Sequence, residues 1–101
     1  MRIVCRPAAV EDLRATADYL EHTLGSPQAA RRFLERALRS ISLLRENPRM
    51  VPLLSDKVEI DGDMRYLVVS KHLVFYELTA DTIEIVRILD GRTDYLSRLF
   101  D

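Results

Sequence analysis

The sequence predicts one two-layer α+β domain, with a helical hairpin packed on a twisted, mostly antiparallel sheet of four to five strands. An N-terminal strand precedes the hairpin and a short segment ends the chain. Two patterns carry that expectation. Apolar residues recur at spacings of three and four from Val10 to Leu44, and β-branched and aromatic runs split by short polar breaks then fill residues 57–89. Size is the third observation: 101 residues at 48% hydrophobic can build one core but not two, so residues 1–101 are read as a single domain.

Residues 2–6, "RIVCR", form a short β-prone run with Ile3 and Cys5 on one side and Val4 on the other. It fits an edge or a central strand. Pro7 stops it and suits the first turn of a helix, where a missing N–H is not needed. Val10, Leu13, Ala17, Leu20 and Leu24 then share one stripe, and Glu11, Asp12, Arg14, Asp18 and Glu21 fall opposite. Gly25 is expected as a left-handed cap, followed by Ser26 as the next N-cap and Pro27 as the first helical residue. In the second helix Ala30, Phe33, Ala37, Ile41 and Leu44 point inward, with Leu34 and Leu38 widening the stripe, until Asn47-Pro48 closes it. A connection this tight predicts an antiparallel hairpin.

The runs "KVEI", "MRYLVV", "HLVFYEL" and "TIEIVRIL" are four strand candidates with hairpin-sized breaks. In the last, Ile83, Ile85, Arg87 and Leu89 alternate against Glu84, Val86 and Ile88, which is apolar on both sides and predicts a central strand. Helices on one face alone would leave the other face open for function or a partner.

Net charge is -1, which advertises no polyanion partner, but the halves differ. Residues 1–50 hold nine basic against six acidic side chains, and residues 51–101 hold six against ten. An anionic partner should feel the first half. Cys5 is the lone cysteine and there are two histidines, so neither a disulfide nor a zinc cluster is expected, and a reducing cytoplasm is the default. Cys5 itself reads as a small hydrophobe in a strand. No run has the length of a membrane span, and the N-terminus lacks signal-peptide design.

Three segments carry a resemblance: "EDLRATADYLEHTLGSPQAARRFLERALRSISLLRENPRM", "RYLVVSKHLVFYEL" and "IVRILDGRTDY". In this order they resemble the RelE/ParE superfamily of bacterial type II toxin-antitoxin toxins over nearly the whole chain. The tail motif of many members reads roughly His-Gly-Arg-Arg-Asp; here Gly91, Arg92 and Asp94 fit, while Asp90 and Thr93 depart from it. The central strand opens with His72 where members usually have Tyr. The resemblance implies a growth-arresting toxin restrained by a cognate antitoxin, working without metal or cofactor. Some members cut mRNA on the ribosome, and others poison DNA gyrase without being nucleases; a catalytically silent antitoxin-binding module is a third possibility.

Metal-free RNA cleavage needs a proton acceptor, a proton donor and cations around the phosphorus. The candidates are Arg65 and Arg92 as phosphate clamps, His72 as acid or base, and Tyr95, with Lys57, Lys71, Arg32, Arg36 and Arg39 as substrate-binding cations. Each has a plainer reading: His72 as a solvated hairpin end, Arg92 paired with Asp90 or Asp94, Tyr95 with Leu99 and Phe100 as a docked tail, and the arginine ladder as a solvated helix face. The acidic second half and the altered tail weigh against a nuclease, and the Arg65–Arg92 pair weighs for one. The sequence reading leans to the ribosome-dependent endoribonuclease, on condition that both guanidinium groups reach one bare sheet face.

Overall fold

The computed structural model describes residues 1–49, 51–58 and 62–100. The order is β1 (Arg2–Cys5), α1 (Pro7–Asp18), a π-helical turn (Tyr19–Thr23), α2 (Pro27–Leu43), a 3-10 turn (Leu54–Asp56), β2 (Arg65–Val69), β3 (His72–Leu78), β4 (Thr82–Asp90) and α3 (Tyr95–Leu99). The sheet runs β1-β4-β3-β2, so β4 is central and β1 is an edge strand, parallel to β4 while the other neighbours are antiparallel. Part of the predicted "KVEI" strand lies outside the described residues; the rest, Lys57 and Val58, forms a turn after the 3-10 segment.

Local chemistry sets the helix ends. Pro7 opens α1, and Ser26 caps α2 by accepting from the Ala29 N–H at 3.1 Å, with Pro27 as first residue. Between the helices the chain widens into π geometry: Leu24 N–H donates to Tyr19 O, and Gly25, at φ 67, takes the left-handed conformation that lets the chain turn toward Ser26.

Ala9, Ala37, Ile41 and Leu44 of the helical hairpin pack on Val69, Val74, Tyr76, Ile83, Ile85 and Ile88 of the sheet. The inward stripe of α1 is rotated from the predicted one. Val10 and Leu24 are more than half exposed, whereas Asp12, assigned to the polar side, is 9% exposed. On α2, Ala30, Ala37, Ile41 and Leu44 are buried as expected, but Leu38 faces solvent.

A bulge changes the parity of β4. Tyr76 pairs with Ile85 but Phe75 pairs with Arg87, which leaves Val86 as an extra residue. Beyond it Ile88 joins the helix-side core with Ile83 and Ile85, and Leu89 joins a second cluster on the opposite face. That second face is not bare, contrary to the sequence expectation. Leu54, Leu73, Phe75 and Leu89 are buried there under Tyr95, Leu96 and Leu99. Only Phe100, expected to dock, stays 55% exposed.

Asp12 explains how the bulged half of β4 is finished. Partners of β1 end at Ile85, with Arg6 N–H donating to Ile85 O as the last rung. The Ile88 N–H beyond would be orphaned, and Asp12 Oδ2 accepts from it at 2.9 Å. The same carboxylate receives Arg87 Nε at 2.7 Å and Nη2 at 2.9 Å, while Arg87 Nη1 donates to Arg98 O in α3. One side chain of α1 thereby ties together β4 and, through Arg87, the C-terminal helix.

Candidate functional site

The two turns at one end of the sheet, after β2 and after β4, stack on each other and face the hairpin. Ser70 takes a left-handed φ of 56 in the β2–β3 turn. Gly91 N–H donates to Lys71 O at 2.8 Å, and a Cβ on Gly91 would stand 3.3 Å from that oxygen and 3.4 Å from Leu73 Cγ, so the second turn rests directly on the first. That contact is the physical reason for glycine in the Asp-Gly break.

Opposite these turns α2 presents Arg32 and Arg36, and the gap between is a cleft of about 760 Å³. Its floor is apolar, with Leu20, Leu24, Phe33, Ile88 and Leu89. Arg32, Arg36, Lys71, His72, Arg92 and Arg98 also line it, together with Tyr19. Arg36 Nη1 reaches across to Ser70 Oγ at 2.6 Å, linking the helix to the turn.

Two carboxylates are present, Asp12 and Asp90, and both are engaged. Asp12 belongs to Arg87. Asp90 receives Arg92 Nε at 3.0 Å, Nη2 at 2.7 Å and the Arg92 N–H at 2.8 Å. Those bonds hold the Asp90 carboxyl well below the usual carboxylate range. The Arg92 guanidinium is correspondingly raised by the same pairing. His72 is half-buried against Phe33, ring centroids 4.9 Å apart. Burial pushes its pKa below the ordinary 6.5, partly opposed by Asp90 and reinforced by Arg92. It stands as a neutral imidazole at neutral pH.

Of the residues singled out from sequence, the structure brings His72, Lys71, Arg92, Arg32 and Arg36 to this cleft and leaves four elsewhere. Arg65 Nη1 donates to Val51 O at 2.6 Å and Arg49 O at 3.4 Å, fixing the chain that leads from α2 to the sheet. It pairs with Tyr76, whereas His72 pairs with Val69 and Asp90, four residues further along β2. Arg65 and the Asp90 turn are thus separated by roughly 13 Å along the strands at about 3.3 Å per residue. The expected convergence of Arg65 with Arg92 does not occur.

Tyr95 packs on Phe75 at 5.6 Å in the second cluster, and Lys57 Nζ lies over the rings of Tyr66 at 5.1 Å and Tyr95 at 5.8 Å, away from the cleft. Arg39, one turn beyond Arg36, is exposed and does not line it. Burial raises the Cys5 thiol, in line with a packing role.

Sequence reasoning missed Tyr19 and Arg98 in the lining, and Asp12. Arg98 lies in a segment whose apolar residues suggested only anchoring. Asp12 follows Ala9 by three and precedes Leu13, an inward position visible once the stripe is centred on alanine. Asp18, Glu21 and His22 of the π turn bring their ligand atoms within 4.8 Å of one another, but all three are exposed, and such groups are common without an ion. Among the described residues no helix is long and apolar enough to cross a membrane.

Residues 3–95 match the family described as the ParE toxin of type II toxin-antitoxin system, parDE. The chain belongs to the ParE toxin family. Its fold agrees: a chain from the structure entitled "Chromosomal ParDE TA system from P. aeruginosa" superposes with a TM-score of 0.74, covering 89% of this chain and 95% of that one at 19% identity. At that identity the superposition speaks for the architecture. No curated protein sequence matches the chain. As a ParE-family member the chain is the toxin component of a toxin-antitoxin system.

Proposed function

We propose that this ParE-family toxin arrests growth by binding DNA gyrase and is restrained by a cognate antitoxin, rather than by cutting mRNA. The placement of Arg65 carries the reading. RNA cleavage without metal needs cations, an acceptor and a donor around one phosphorus. Arg65 is committed to backbone carbonyls at the other end of the sheet from Arg92. Arg92 is committed to Asp90, Tyr95 packs in a core, and a neutral His72 lacks a second proton-transfer group beside it. Membership of the ParE branch supports the same choice.

The test sets purified chain against purified gyrase in a supercoiling assay and maps transcripts by primer extension after induction in cells. Loss of supercoiling or accumulation of cleaved DNA, with intact transcripts, is the expected pair of results. Discrete transcript ends with unaffected gyrase would reverse the proposal in favour of the endoribonuclease. The cationic cleft is the observation that favours that second reading, since a strand of RNA would also find Arg32, Arg36 and Lys71 there.

A further inference from the structure

The cleft combines two properties that folding alone does not require. Arg32, Arg36, Lys71 and Arg98 line it, and among the described residues none of the four has a carboxylate partner. Its two acids are neutralised by Arg87 and Arg92. The space is therefore strongly positive in a chain whose net charge is -1. Four uncompensated cations around one cavity repel one another, and an anion relieves that cost.

The second property is the floor. Leu20, Leu24 and Phe33 offer apolar surface above the buried Ile88 and Leu89, and Tyr19 stands 53% exposed at the wall, with no ring partner among the described residues. A purely inorganic anion would leave that surface wet. A volume of 760 Å³ falls in the range of small-molecule sites and suits an anion carrying a flat, partly apolar body.

We propose that this cleft is a binding site for a nucleoside phosphate, with the base against Tyr19 and the apolar floor and the phosphates on Arg32, Arg36 and Lys71. Each cation arrives from a different position, two from successive turns of α2 and one from the β2–β3 turn, so they can engage separate phosphate oxygens. Arg36 is already oriented by Ser70 Oγ through Nη1, which leaves its other guanidinium nitrogens for the ligand. The inference does not depend on gyrase being the target. The same chemistry could come from a free nucleotide or from the phosphorylated end of a nucleic acid strand.

Calorimetric titration of the full chain with ATP, inorganic triphosphate and a 5′-phosphorylated tetranucleotide tests it. ATP is expected to bind saturably. Arg32→Gln and Arg36→Gln should each weaken it about tenfold or more, the loss expected for a hydrogen bond to a charged group. Arg39→Gln, one turn outside the cleft, should change nothing. Tyr19→Ala should weaken ATP but leave triphosphate unaltered. Thermal melting of each variant confirms that these exposed positions leave the fold intact.

Tighter binding of the tetranucleotide than of ATP assigns the site to a strand end, and the reverse assigns it to a free nucleotide. Absence of saturable binding by both would overturn the proposal. So would equal losses for Arg39→Gln, or triphosphate binding as tightly as ATP regardless of Tyr19, since each reduces the cleft to general polyanion adhesion. Because gyrase inhibition is read in a separate assay, either proposal can fail alone.

Discussion

Removing the Asp12 carboxylate is the sharpest test of how the sheet is closed. Asp12→Ala strips the acceptor from Arg87 Nε, Arg87 Nη2 and the Ile88 N–H, at 2.7, 2.9 and 2.9 Å. Asp12 is 9% exposed and the Arg87 side chain 21%, so water replaces little of what is lost. Breaking one side of a buried ion pair costs about 3–5 kcal/mol, and an orphaned backbone N–H belongs to the same penalty. For a domain of this size each kcal/mol moves Tm by roughly 4–8 °C, so the variant should melt about 12 °C or more below the parent. Asp12→Asn, which keeps an acceptor for Ile88 but no charge for Arg87, should fall between. Circular dichroism melting at neutral pH and urea titration give both numbers. A Tm within about 3 °C of the parent would refute the reasoning, since it would mean that the carboxylate is dispensable at the unpaired edge of β4.

Other outcomes follow from the same geometry. His72 has a folded pKa below 6.5 because burial disfavours its charged form, so the unfolded chain takes up the proton first. Stability should be full above about 6.5 and decline as pH falls through that value toward the folded pKa, and His72→Gln should flatten that part of the urea midpoint profile. Ser26→Ala removes the α2 cap and should cost about 1 kcal/mol, read as a drop in Tm. Gly91→Ala should cost about 1–2 kcal/mol by forcing Lys71 O and Leu73 away from the new methyl. Arg92→Ala removes a mostly exposed ion pair and should move Tm by no more than about 4 °C, read in the same melts.

The sequence was most informative where the cause is local. Pro7, the Gly25-Ser26-Pro27 junction and the β-branched runs each act within a few residues, and the two hairpin helices and the four strands β1 to β4 lie where those signals put them. The central place of β4 was legible because Ile83, Ile85, Val86 and Ile88 leave no polar side. What could not be read depends on partners far along the chain. Asp12 looks like a surface acid until Arg87, 75 positions away, arrives beside it. Arg65 looks like a phosphate clamp until the backbone at Val51 is seen to fill it. The cleft was half legible: His72 and Arg92 were named together with Arg65 and Tyr95, which the fold takes elsewhere, and Lys71, Arg32 and Arg36 join them only because the hairpin leans over that end of the sheet.

The extra residue at Val86 makes β4 two half-strands of opposite phase joined at a single point. Deleting Val86 would restore simple alternation with Arg87 still opposite Phe75 and Ile88 still opposite Val74, so every later side chain would keep its face while the strand lost its local bend. What would change is the bend and twist that the bulge adds, and with them the angle at which the last half of the strand carries its turn to the cleft. Val86 thus marks the place in β4 where the strand can lose one position and still present the same faces to both cores.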